Sequence, residues 1–156
     1  MACYQFNFYL WGERDDPGGV LAWLSKTLHE FEQRGEITIF ISHHPPGDNS
    51  CLYEWSVRYK AICDRFQHII RYSIYGHVHR ERHNLVTNFI NQSIGVQYWT
   101  GSGTTFTYNN PTFRLYEVDA QTMLPVRVST FVLPIQDANP SWRFDHELTE
   151  LYNMQD

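Results

Sequence analysis

Two short histidine motifs stand directly after strand-like apolar runs in this sequence. The run 37–41 leads into Ser42-His43-His44-Pro45-Pro46-Gly47, and the run 72–75 leads into Gly76-His77-Val78-His79. A strand that ends in a His-bearing turn holds an imidazole at the carboxyl edge of a sheet, where open α/β folds bind ligands. Neutral imidazole is a common metal ligand, so His43, His77 and His79 are candidates for a metal centre. Three neutral nitrogens do not offset two divalent cations, and a two-metal centre needs carboxylates as well. Of the adjacent His43 and His44, only one turns easily toward a single site. The spacing His-x-His, taken alone, is as common in solvated or packed pairs as in ligands.

The elements that must position these rings can be read from periodicity. Residues 3–11 alternate loosely and suit a strand. Asp16-Pro17 then reads as an N-cap with proline at the first helical position. Leu21, Leu24, Leu28 and Phe31 recur at helical spacing, and Gly35 is a helix stop. The continuous apolar run 37–41 is expected to be a strand covered on both faces. A second helix is expected over 51–70, with Leu52, Trp55, Tyr59, Ile62, Phe66 and Ile69 on one side. Strand, helix, strand in this order predicts a crossover unit and an α/β fold. From Asn84 the pattern changes to short β segments at 85–90, 94–99, 113–118 and 126–133, separated by Gly and Asn-Pro turns. A short helix is expected over 144–152.

The chain has 156 residues, 42% hydrophobic and 16% aromatic, which suits one domain with a packed core. A net charge of -5 gives no electrostatic case for a nucleic-acid polymer as partner. No apolar run approaches the roughly 20 residues of a transmembrane segment, and Met1 is not followed by a signal-peptide pattern. Cys3, Cys51 and Cys63 form no metal knuckle or C-x-x-C pair. Their spacing leaves open whether they are three buried thiols or include a disulfide.

Four segments together resemble the carboxyl-terminal motifs of calcineurin-like metallophosphoesterases, in particular the acid sphingomyelinase family. They are 16–24, the block 42–47, Gly76-His77-Val78-His79, and Thr104 through Asp119, in the family order. The resemblance implies a partial α/β/β/α sandwich: residues 1–135 as the carboxyl-terminal half of a catalytic domain, and 136–156 as the start of a helical tail. It implies that His43 and His77 ligate one of two zinc ions and His79 the other. Ser42 stands where the family has glycine. Paired metals about 3.5–4 Å apart suit phosphodiester hydrolysis, with sphingomyelin or a nucleotide as the implied substrate.

The family's earlier motifs, D-x-H, G-D-x-x-D and G-N-H-[DE], have no counterpart here, and Asp48 has no aspartate three residues on. The isolated chain is therefore expected to be inactive, with no catalytic residue assigned. The resemblance also implies a Cys3–Cys51 disulfide and a secreted or lysosomal full-length protein. Asn91-Gln92-Ser93 is an N-glycosylation sequon. His29, His68, His83 and His146 are read as structural or solvated, and His44 as facing substrate or solvent. Tyr98, Trp99, Phe106 and Tyr108 fit either a choline or lipid pocket or ordinary packing.

Overall fold

Asp16 shows how local chemistry starts the first helix. In the computed structural model, which describes residues 3, 4, 6, 12, 13 and 15–154, Pro17–Gly19 form a 3-10 turn and helix α1 runs Val20–Arg34. Gly18 and Gly19 have φ of 70° and 66°, so helical geometry begins three residues later than the Asp-Pro pair suggests. The Asp16 carboxylate still reaches over the turn and accepts from the Leu21 and Ala22 amides at 2.7 and 2.9 Å. It thereby satisfies two of the amides that every helix start leaves without a partner. Gly35, at φ 67°, ends the helix, and its amide and that of Glu36 return to the carbonyls of Glu32 and Phe31. The strand expected over 3–11 lies, apart from residues 3, 4 and 6, outside the described residues; Tyr4 makes an antiparallel bridge with Cys51.

Strand β1 (Thr38–Ser42), helix α2 (Tyr53–Arg65) and strand β2 (Ile70–Tyr75) form a parallel β-α-β unit. Helix α2 is shorter than the run 51–70 because residues after Arg65 turn to start the ladder, where the Thr38 amide donates to the Ile69 carbonyl at 2.8 Å. With β3 (Arg82–Thr87) and β4 (Ser93–Trp99) the sheet order is β1-β2-β4-β3. Its core gathers Leu21, Leu52, Trp55, Tyr59 and Cys63 around the Cys3–Cys51 disulfide, whose Cα atoms are 4.7 Å apart. Leu28, Phe66 and Ile69 form a neighbouring cluster. Cys63 is free and buried.

β1 is not covered as the sequence predicts. Among the described residues it stands at the edge of its sheet, Ile41 is 79% exposed, and a groove of about 360 Å3 lined by Trp23, Leu24, Phe31 and Phe40 runs beside it. On the surface, Glu32 of α1 takes a two-pronged bond from Arg65 and further contacts from His68 and His29. The Arg65 guanidinium holds the Glu32 carboxyl down to about 2.

The chain divides into two compact units, the first comprising Met1–His77 and His83–Tyr98 and the second Val78–Arg82 and Trp99–Asp156. In the second unit the chain turns to antiparallel pairing. Its antiparallel sheet has the order β5 (Thr112–Val118), β6 (Pro125–Val132), β7 (Arg143–Glu147). Helix α3 (Leu148–Leu151) follows. The first part of the expected helix over 144–152, residues 144–147, is therefore strand, and residues 148–151 are helical as expected. The reason is register: Phe144 pairs with Phe131, whose ring stacks in turn on Phe113 at 5.0 Å, and this aromatic column outweighs local helix propensity.

Glu147 caps α3 from a buried position. Burial opposes its ionisation, but bonds from the Thr149 hydroxyl and the Glu150 and Val128 amides prevail and hold its carboxyl down to about 2, against an ordinary 4.5. A carboxyl with a lowered folded-state value stabilises fully above the unfolded value and less as pH falls toward the folded one. Glu147→Gln is expected to lower unfolding free energy by about 2 kcal/mol near neutrality, the scale of bonds to a charged group. The gap to the parent should close between pH 4.5 and 2 in urea titrations. A gap independent of pH would show that the charge is not what stabilises.

Candidate metal centre

The two histidine turns follow adjacent parallel strands, so they emerge at the same edge of the first unit. Ser42 pairs with Tyr75 in register, and the Gly76 amide donates to the His43 carbonyl at 3.0 Å. This lock brings His43 Nε2 to 3.3 Å from His77 Nδ1, with the rings at 79° to each other. His77 itself sits in the left-handed region at φ 70°, as does His79 at φ 57°. Non-glycine residues pay about 1–3 kcal/mol for such geometry, and it clusters at functional sites.

His44 is the largest departure from the sequence reading. It is buried rather than facing substrate or solvent, and its ring lies on that of His77 with centroids 3.9 Å apart. Burial, with the neighbouring His77, pushes its imidazole down to about 4, so it is neutral near pH 7. The Ser50 hydroxyl lies 3.0 Å from His44 Nε2 and 3.3 Å from His77 Nε2, and it donates to the Asp48 carboxylate. Burial works against the Asp48 charge, but this bond and the Ser50 amide at 3.0 Å keep its carboxyl below the ordinary value. Donor atoms of His44, Asp48 and His77 all lie within 4.8 Å of one another. Sequence reasoning missed Asp48 and Ser50, because it sought the carboxylate in a spaced motif and not within the turn after the histidines. Tyr4 closes one side, its ring 5.3 and 5.8 Å from those of His44 and His77.

His79 belongs to the second unit. Its carbonyl accepts from Asn109 Nδ2 at 2.9 Å, its ring meets Phe106 at 5.9 Å, and its Nδ1 is buried without a partner among the described residues. It lines a pocket of about 260 Å3 with Glu81, Asn109 and Thr112. Two residues on, Glu81 takes a 2.8 Å bond from the buried Arg114 guanidinium and approaches His146 at 3.4 Å. Of the four aromatics singled out, Trp99 is buried and Tyr98 packs edge-on against Tyr72, whereas Phe106 and Tyr108 are exposed. His29 and His68 are occupied with Glu32, and His83 is exposed. Asn91 is exposed at φ 61°, in a turn whose amides at Ile90 and Gln92 donate to the Asn88 side chain.

No family model matches the chain. It is 32% identical to sphingomyelin phosphodiesterase 2 of Caenorhabditis elegans, over 99% of this chain and 27% of that protein. Sphingomyelin phosphodiesterase B of Dictyostelium discoideum is 31% identical over 97% of the chain and 26% of its own length. The human sphingomyelin phosphodiesterase is 29% identical with the same coverage. The chain thus spans about a quarter of the length of these relatives. Along nearly its whole length, this chain is homologous to one stretch of the sphingomyelin phosphodiesterases.

Proposed function

We propose that this chain contributes metal-binding residues to a phosphodiesterase of the calcineurin-like superfamily, with sphingomyelin as substrate. The observation that carries this reading is the 3.3 Å between His43 Nε2 and His77 Nδ1. Zinc–imidazole bonds are about 2.0–2.1 Å long, and two of them at a tetrahedral angle end about 3.3 Å apart. The donor set therefore fits one zinc ion shared by His43 and His77. The family resemblance, not the geometry, assigns His79 to the other zinc ion; among the described residues its buried Nδ1 has no hydrogen-bond partner. A bound divalent cation supplies Lewis-acid polarisation of a phosphoryl oxygen. The role of this chain is to hold neutral imidazoles in fixed directions, through the parallel ladder of β1 and β2 and the strained turn at His77.

The substrate assignment rests on the similarity to sphingomyelin phosphodiesterases; exposed Phe106, whose ring meets that of His79, offers a face for a choline cation. A secreted or lysosomal site of action is supported by the Cys3–Cys51 disulfide, since such bonds persist in oxidising compartments. The exposed turn at Asn91 suits N-glycosylation. No helix among the described residues is long and apolar enough to cross a membrane.

Two proteins test the proposal: the 156-residue chain, and a chimera in which it replaces the matching quarter of the Caenorhabditis elegans relative. With zinc, the short chain is expected to hydrolyse neither sphingomyelin vesicles nor a chromogenic phosphodiester, because the imidazoles lack enough carboxylate to offset two cations. The chimera is expected to hydrolyse sphingomyelin and to lose at least 100-fold in rate on His77→Ala. A folded chimera without activity, or one indifferent to that substitution, would overturn the assignment.

A further inference from the structure

His77 offers one ring nitrogen to His43 and the other to Ser50, and the second contact decides what the first can do. The Ser50 hydroxyl has one proton, and it is committed to the Asp48 carboxylate. Toward His77 Nε2 at 3.3 Å and His44 Nε2 at 3.0 Å the same oxygen can only accept. His77 must then carry its proton on Nε2. In His77 this leaves a bare lone pair on Nδ1, the atom 3.3 Å from His43 Nε2.

We propose that Asp48 and Ser50 are positioning residues that fix the tautomer and direction of His77, presenting Nδ1 as the metal-binding atom. The inference deepens the metal reading above and rests on it for its purpose, though not for its geometry. Ligating histidines commonly donate their other N–H to a carboxylate or carbonyl that orients the ring and raises its basicity. Here the hydroxyl of Ser50 stands between ring and carboxylate, and its hydrogen bonding is polarised by the charge on Asp48. The turn is built to hold it: Asp48 also receives the Ser50 amide, its own carbonyl accepts from Cys51 at 2.9 Å, and Cys51 is tied by the disulfide to Cys3. Stacked beneath, His44 shares the same hydroxyl and prevents the His77 ring from tilting away.

The tautomer can be read without metal, by histidine side-chain 15N–1H correlation spectra of the full chain at pH 8. His77 is expected as the Nε2–H form in the parent and in Ser50→Thr, which keeps the hydroxyl. A mixture of forms is expected in Ser50→Ala and Asp48→Asn, with exposed His68 unchanged as internal control. Cobalt(II) titration should show 10–100-fold weaker binding in Ser50→Ala and near-parental binding in Ser50→Thr. Asp48→Asn preserves the size of the turn residue, so its backbone amide spectrum should superpose on the parent outside 47–51. A His77 ring that is Nδ1–H in the parent, or a tautomer unmoved by Ser50→Ala, overturns the proposal. A tautomer that responds while cobalt binds equally well to the parent and to His77→Ala upholds the relay and refutes instead the metal assignment.

Discussion

Cys51→Ser is expected to lower the unfolding free energy by about 4 kcal/mol, the chain-entropy value for a loop of this length. The bond joins residues separated by 48 positions, and both cysteines are among the buried residues of the main core cluster. Around it the Leu52 amide donates to the Cys3 carbonyl at 2.6 Å and Tyr4 bridges to Cys51, so the crosslink also holds the turn that carries Asp48 and Ser50. Domains of this size are stable by about 5–15 kcal/mol, so a large share is at stake. With a urea slope of about 2 kcal/mol per molar, the midpoint should drop by about 2 M. Cys63 does not substitute for the lost partner, since burial pushes its thiol up to about 12 and leaves almost no thiolate to exchange. Cys3→Ser and the double variant should give the same loss as Cys51→Ser, because one crosslink can be lost only once. A midpoint indifferent to reductant would remove the disulfide from this account.

His43→Ala and His77→Ala are each expected to weaken zinc binding by the chain at least 100-fold, measured by calorimetry with cobalt(II) spectra as a check. One imidazole remaining from a facing pair is an ordinary surface histidine, whereas the pair is held by the Gly76–His43 backbone bond and needs little further ordering. His29→Ala and His68→Ala should bind as the parent does, because both rings are engaged with Glu32 on the helical side of the unit. Equal affinity in all four variants would mean that the 3.3 Å approach is a hydrogen bond between rings and no metal site.

Much of the scaffold was legible in the chain because it obeys local rules. The apolar spacing of Leu21, Leu24, Leu28 and Phe31 and the αL glycine at 35 define α1 from neighbours a few residues away. The run 37–41, the amphipathic stretch after Leu52 and the run before Gly76 together imply a parallel unit, and the structure builds it. Boundaries were less legible where two residues far apart in sequence compete with a local preference. Residues 143–147 are strand because β6 offers a register that aligns Phe144 with Phe131. Likewise β1, read as buried from its composition, is an edge among the described strands, with Ile41 exposed; apolar composition measures what a strand tolerates, not what covers it.

The sequence by itself determined which imidazoles are candidates and that each follows a strand, since both depend only on residue type and position along the chain. It also determined that no D-x-H, G-D-x-x-D or G-N-H series occurs in these 156 residues. Tertiary structure alone decided which ring nitrogen faces which partner. His44 turns inward because Pro45 is buried and Tyr4 and His77 take up its ring, and Asp48 reaches His77 only through Ser50. Such relations depend on χ angles and on contacts between residues some 30–40 positions apart. The packing of side chains sets them; periodicity, which records only the face of a helix or strand, carries no trace of them.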